Sequence, residues 1–168
     1  AEAFVASRFP GWSEDMVLQW ETRSPQSFDQ PMAQTPCPTT GFRWAEKREG
    51  AWTGTYVAVT LIDELPGVPA MYMGYVAKPR SLADVKVPRE RAVELALAEA
   101  ARRGLKDARV RDAELYLDHH VWHFPHWMIH ISEPQPRGEA THPLHTTVMV
   151  HAVTGEIMDL AATMSGEQ

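Results

Sequence analysis

The chain has 168 residues with 22 acidic against 16 basic side chains, a formal charge of −6. That length fits one large domain or two small units, and either arrangement can bury roughly 70% of its unfolded surface. The acidic balance supplies no field for a polyanion, which argues against a nucleic-acid or anionic-membrane role.

No segment approaches the ~18 consecutive apolar residues of a membrane span, and the first residues lack the regions of a secretory signal. The apolar pattern Ala3, Phe4, Val5, Phe9 starts at once, with no initiator Met and no capping residue ahead of it. A trimmed precursor is therefore expected, its signal or anchor lost with the missing piece. Cys37 is the single cysteine, which excludes an internal disulfide and a multi-cysteine metal site.

Ala3 to Phe9 reads as the end of a helix. Strands are expected at Met16 to Thr22, Phe42 to Lys47, Thr53 to Ile62 and Pro69 to Val76. Between the first two lies a loop from Ser24 to Thr40 that carries Pro25, Pro31, Pro36 and Pro38, too proline-rich for a central strand. The segment Ala77 to Lys86 reads as a joint. The clearest helix follows at Pro88 to Arg103, with Pro88 suited to the first helical position. Val93, Ala96, Leu97, Ala100 and Ala101 recur at helical spacing, Glu99 and Arg103 pair on the polar side, and Gly104 caps the end. Ala108 to Leu117, Val121 to Ser132 and Leu144 to Val153 complete the pattern as three further strands. The halves look alike, since Tyr56 to Asp63 aligns with Thr146 to Val153. The expected fold is α+β in tandem units, residues 1–80 and 81–168, each a helix packed on an antiparallel sheet.

The run Val148 to Met158, with Thr154-Gly155-Glu156 at its turn, resembles the closing signature of PepSY domains. Arg91 to Ala96 looks like the Ala-rich helix that opens them. Gly41-Phe42-Arg43-Trp44 and Tyr56 to Val59 are similar to YcdB/YcdC-type repeats, which occur in tandem. The resemblance implies a PepSY/cystatin-like fold and an extracytoplasmic setting, either secreted or in the cell envelope. It also implies a role in restraining or assisting a peptidase or another envelope protein, with no catalytic residues to carry over.

All eight histidines fall between His119 and His151. Imidazole is the commonest neutral metal ligand, so zinc, copper or nickel is the chemistry this crowding suggests. Pro125 forbids a helix there, and strand alternation leaves His126 with His130 and His145 with His151 as same-face sets. A zinc or copper site built from His126, His130, His145 and His151 is one expectation; a solvated sheet face rich in histidine is the bland one. Pro36-Cys37-Pro38 is weighed as a haem-thiolate ligand against an ordinary loop thiol. Trp52, flanked by Gly50 and Gly54, reads as loop-placed and exposed, and with Trp122 makes a candidate binding surface. Nucleophile elbow, His-Glu-x-x-His, phosphate loop and dinucleotide fingerprint are all missing. The expectation is a non-enzymatic module that binds a protein or peptide through a sheet face or edge, with divalent-metal binding or sensing as the alternative.

Overall fold

The computed structural model describes residues 1–24, 38–63, 69–78, 80–119, 122–132 and 145–158, and its chain divides into two units, Ala1–Lys78 and Pro79–Gln168. In the first unit β1 (Met16–Ser24), β2 (Thr39–Arg48), β3 (Ala51–Ile62) and β4 (Pro69–Tyr75) pair antiparallel, each with the next. β1 and β4 each have a single partner within the unit, β2 and β3 respectively. Among the described residues of this unit the one helix is α1, the five residues Glu2–Ala6.

Register explains where the core of this unit lies. Trp44 faces Val57 and Phe42 faces Val59, so four large side chains share one side of the sheet. Val5 of α1 and Phe9 just after it close over Trp44, Val57 and Val59, with Trp12, Met16 and Leu61 packed around them. The Phe9 ring lies so near the β4 backbone that a Cβ on Gly74 would stand 2.7 Å from its Cε2.

Arg48 and Ala51 are the last paired residues of the β2–β3 hairpin, and the two between them, Glu49 and Gly50, have φ of 49° and 83°. Positive φ at both central positions defines a type I′ turn, which suits Gly but strains a glutamate. Glu49→Asn should therefore stabilise the protein by roughly 0.5–1 kcal/mol in urea unfolding. An unchanged or lowered midpoint would contradict that reading of the turn.

Beyond the turn the register shifts between Ala45 and Lys47, and Gly54 at φ 92° takes up the extra length as a bulge in β3. Glu46, buried at this bulge, accepts hydrogen bonds from Thr53 Oγ1 at 2.6 Å, Arg48 Nη2 at 2.7 Å and Ser13 Oγ at 2.9 Å. A buried carboxylate is tolerable only when so satisfied. Trp52 is the residue this arrangement corrects: it lies in β3, buried, with Lys47 Nζ 4.6 Å above its ring. The flanking glycines mark a turn and a bulge, not a loop.

The second unit holds α2 (Arg89–Arg102) and the antiparallel strands β5 (Arg109–Tyr116), β6 (His126–Ser132), β7 (His145–His151) and the two-residue β8 (Ile157–Met158), again each paired with the next. A three-residue 3₁₀ turn at Leu82–Asp84 precedes α2, closed by a capping box between Ser81 and Asp84. Pro88 is the N-cap of α2, one place before the first helical position. At the other end Gly104 at φ 88° lets its own N–H bond the Ala101 carbonyl and that of Leu105 bond the Ala100 carbonyl, a Schellman ending. Ala92, Ala96 and Ala100 form the fully buried stripe, with Val93 and Leu97 half-buried beside it and Ala101 turned to solvent. On the polar side Glu99 receives two hydrogen bonds from Arg102 and one from Arg103, and those from Arg102 do most to hold its carboxyl down to about 2.

α2 packs on the strands of its unit along the face that carries Trp127, Ile129, Val148 and Val150. Trp127 Nε1 donates 2.9 Å to the Val87 carbonyl, tying the strand to the approach of the helix. The Thr154-Gly155 turn joins β7 to β8, with Gly155 at φ 78° and its N–H bonded to the His151 carbonyl.

These elements overturn the expected fold. The chain is predominantly β-sheet, not α+β with one helix-on-sheet unit repeated. Among the described residues only those of the second unit contain a helix long enough to cover a sheet; five residues at α1 form little more than one turn, too few to offset the cost of helix nucleation. The two halves also differ in strand length, with 12 residues in β3 against seven in β7, the strands whose sequences look alike. The tandem-repeat reading falls with it. Among the described residues no helix is long and apolar enough to cross a membrane. The proline-rich segment with Cys37, and with it the haem-thiolate reading, lies outside the described residues.

Candidate functional site

The chemistry-bearing residues of the second unit gather where β5 ends and β6 begins. Tyr116 and His126 are register partners, and their rings stack with centroids 5.6 Å apart and planes 7° from parallel. Tyr116 and Asp118 are two apart in a run that stays extended through Tyr116. His119, Trp122 and Phe124 then gather around His126. Edges of His119, Trp122 and Phe124 surround its ring at centroid distances of 6.2, 6.0 and 5.9 Å. Pro125 prevents the strand from starting earlier and sets this segment off from β6. His126 is thereby wholly buried, so this end of the face is not a solvated one.

Hydrogen bonds fix the state of each ring nitrogen. His126 Nδ1 lies 2.9 Å from the Phe124 carbonyl, which can only accept, so the proton sits on Nδ1 and the lone pair on Nε2. Burial pushes this imidazole below its ordinary range; the Phe124 carbonyl and Asp118 pull upward and His151 adds to the depression. Asp118 is equally buried, and its Oδ1 accepts from the His119 backbone N–H at 2.8 Å and from His123 Nδ1 at 3.1 Å. Two acceptors are left over: Asp118 Oδ2 and His126 Nε2 are buried with no hydrogen-bond partner. Each unpaired buried acceptor costs about 1–3 kcal/mol, a cost that a buried water or another donor reaching these two atoms removes.

The four histidines expected to hold a metal are not brought together. His126 and His151 are direct cross-strand partners, but the His151 ring stacks on Phe124 at 4.7 Å and its Nδ1 accepts from the backbone N–H groups of Val153 and Thr154. His130 lies four residues further along β6, about 13 Å at the strand rise, where its Nδ1 meets Thr147 Oγ1 at 3.1 Å. There it lines a cavity of about 280 Å³ with Arg111, Asp112 and Thr146. His145, opposite Ser132, begins β7 six residues before His151. A strand spreads residues along its length, so four same-strand or adjacent-strand positions with these offsets do not meet at one ion. Among the described residues no three His, Cys, Asp or Glu side chains already converge as a metal group. Of the two tryptophans expected at a binding surface, Trp52 is buried in the first unit and Trp122 stacks on His119 at 5.2 Å. Asp118 is the residue the sequence reading missed; an acidic residue closing an apolar strand just ahead of His119 and His120 was the available signal.

A second surface stands out in the first unit. On edge strand β1, Val17, Leu18 and Trp20 are 45%, 46% and 40% exposed, and on edge strand β4, Met71, Tyr72 and Met73 are 37%, 42% and 46% exposed. Over β1, β2 and β3 a shallow cavity of about 510 Å³ is lined by Phe42 and Leu61 and by Glu21, Arg23, Thr40 and Asp63. Asp63 holds this polar lining in place, accepting from Thr40 Oγ1 at 2.7 Å and from Arg23 Nε at 3.1 Å.

No protein-family model, curated protein or solved structure matches the chain, and so nothing among them identifies a PepSY domain.

Proposed function

We propose that this chain is a binding protein without chemistry of its own, whose first unit receives an extended polypeptide segment alongside β1. The observation that carries the reading is the run of exposed large apolar side chains Val17, Leu18 and Trp20 on a strand with one partner among the described residues. An edge presents unpaired N–H and C=O groups, and proteins ordinarily blunt such edges with charge, proline or a covering element. β1 has a bulge between Leu18 and Trp20 but keeps apolar residues on both sides of it, which favours a partner strand over water. Glu14 and Glu21 flank the edge, while Asp15 is paired with Arg48 and Arg23 with Asp63, so a segment that alternates apolar with basic residues fits best. The extracytoplasmic setting and the peptidase partner implied by the resemblance are proposals resting on the sequence alone.

Selection of displayed random peptides against the chain tests this reading. Apolar-basic alternating sequences should be enriched, and Leu18→Lys, which puts a charge on the exposed edge without touching a buried side chain, should weaken their binding at least tenfold. Recovery of no peptide, or equal binding to Leu18→Lys, would contradict the proposal.

A further inference from the structure

We infer that the cavity over β5, β6 and β7 is a binding site for a free α-amino acid, with Arg111 receiving its carboxylate and Asp112 its ammonium group. The inference does not rest on the β1 surface and concerns the second unit alone.

The strand register sets the site up. Val110 pairs with Ile131 and Asp112 with His130, so Arg111 is an extra residue with no partner across the ladder. In a regular strand Arg111 and Asp112 would point to opposite faces, whereas a bulge re-aims the side chain it inserts. Here both line one cavity of about 280 Å³, together with His130, Ile131 and Thr146.

The charges in this cavity are left open. Arg111 and Asp112 are adjacent but form no ion pair with each other, and the Arg111 guanidinium has no partner among the described residues. Asp112 spends Oδ1 on the Ala113 N–H at 2.7 Å and keeps Oδ2 free. His130 is held through Nδ1 by Thr147 Oγ1 at 3.1 Å, which leaves its Nε2 unused. A simple anion would meet Asp112 as a repulsive neighbour and a simple cation would meet Arg111, so the pair selects a molecule that carries both charges. The guanidinium fork also matches a carboxylate in two parallel hydrogen bonds. At about 280 Å³ the cavity lies at the lower limit of the roughly 300–1,000 Å³ that holds drug-sized ligands, which suits an amino acid better than a peptide.

Titration of the full chain with the free L-amino acids, followed by amide NMR spectroscopy, should find members that saturably shift the signals of Arg111, Asp112 and Thr146. The N-acetyl and carboxamide derivatives of such an amino acid should each bind about tenfold more weakly, because each loses one charged hydrogen bond. Arg111→Gln and Asp112→Asn should each weaken the free amino acid by about the same factor, while Arg89→Gln on the exposed side of α2 leaves it unchanged. Both site residues are exposed, so both variants keep the fold. Absence of saturable shifts with every amino acid overturns the inference. Acetate or methylammonium binding as tightly as the amino acid does so too, since the cavity would then be a site for a single charge. Undiminished binding by both variants would place the ligand elsewhere and overturn it as well.

Discussion

Trp127→Ala should destabilise the protein by about 3–5 kcal/mol, the largest single effect expected anywhere in the second unit. The indole lies buried on β6 between Leu115 of β5 and Val150 of β7, on the side of the sheet that α2 covers. Its removal opens a cavity under the helix, and the alanine stripe Ala92, Ala96 and Ala100 has no long side chains to collapse into it. It also leaves the Val87 carbonyl without the 2.9 Å bond from Nε1. Trp127→Phe separates the two contributions, since it keeps most of the ring and loses the hydrogen bond; a cost of about 1–3 kcal/mol is expected. Urea unfolding of the three proteins decides it, and a cost below about 1 kcal/mol for the alanine variant would mean that the helix is not held through this residue.

Acid should weaken the fold before its carboxylates titrate. Burial depresses His126 below its ordinary value of 6.5, so the folded protein binds this proton less readily than the unfolded chain. The sign follows: stability is fully present above pH 6.5 and is lost as pH falls from 6.5 through the lower folded value. One proton of difference corresponds to at most about 1.4 kcal/mol per pH unit within that window. The groups around the ring are Tyr116, Asp118, His119 and His151, and Asp118 is the one whose charge opposes the loss. His126→Phe keeps a ring stacked on Tyr116 and removes the titration. Unfolding free energies measured at pH 7.5, 6.5 and 5.5 should fall more steeply for the parent protein than for this variant; parallel slopes would show that His126 is not the group that couples folding to acid.

How far the residues disclosed the molecule depends on whether their signals were local. α2 was legible because its proline start, alanine stripe and Gly104 ending act within one turn of the chain, although the buried stripe sits one position earlier than the periodicity suggested, at Ala92 in place of Ala101. Strand positions were legible from β-branched and aromatic runs, and β6 began late because Pro125 and its neighbours fold back over His126. The architecture was misread where similarity between two strand sequences, β3 and β7, stood in for similarity of whole units. Strand patterns recur in any sheet, whereas the helix that defined the expected unit needs a long amphipathic segment, and the described residues of the first unit form none. Trp52 was misplaced because a glycine in a bulge and one in a loop look the same in sequence. The histidine crowding was visible, but its geometry was not. Which rings meet depends on how the chain returns from β5 to β6, where the His119 and His126 rings come within 6.2 Å, while β6 and β7 carry His130 and His145 away.

The most direct test of strand addition at β1 is amide hydrogen exchange of the chain alone and with a selected peptide. Slowed exchange should concentrate between Met16 and Ser24, where an added strand would engage the outward N–H groups of the edge. Protection confined to β4, to α2 or to the segment around His126, with β1 exchanging as fast as in the free chain, would contradict it.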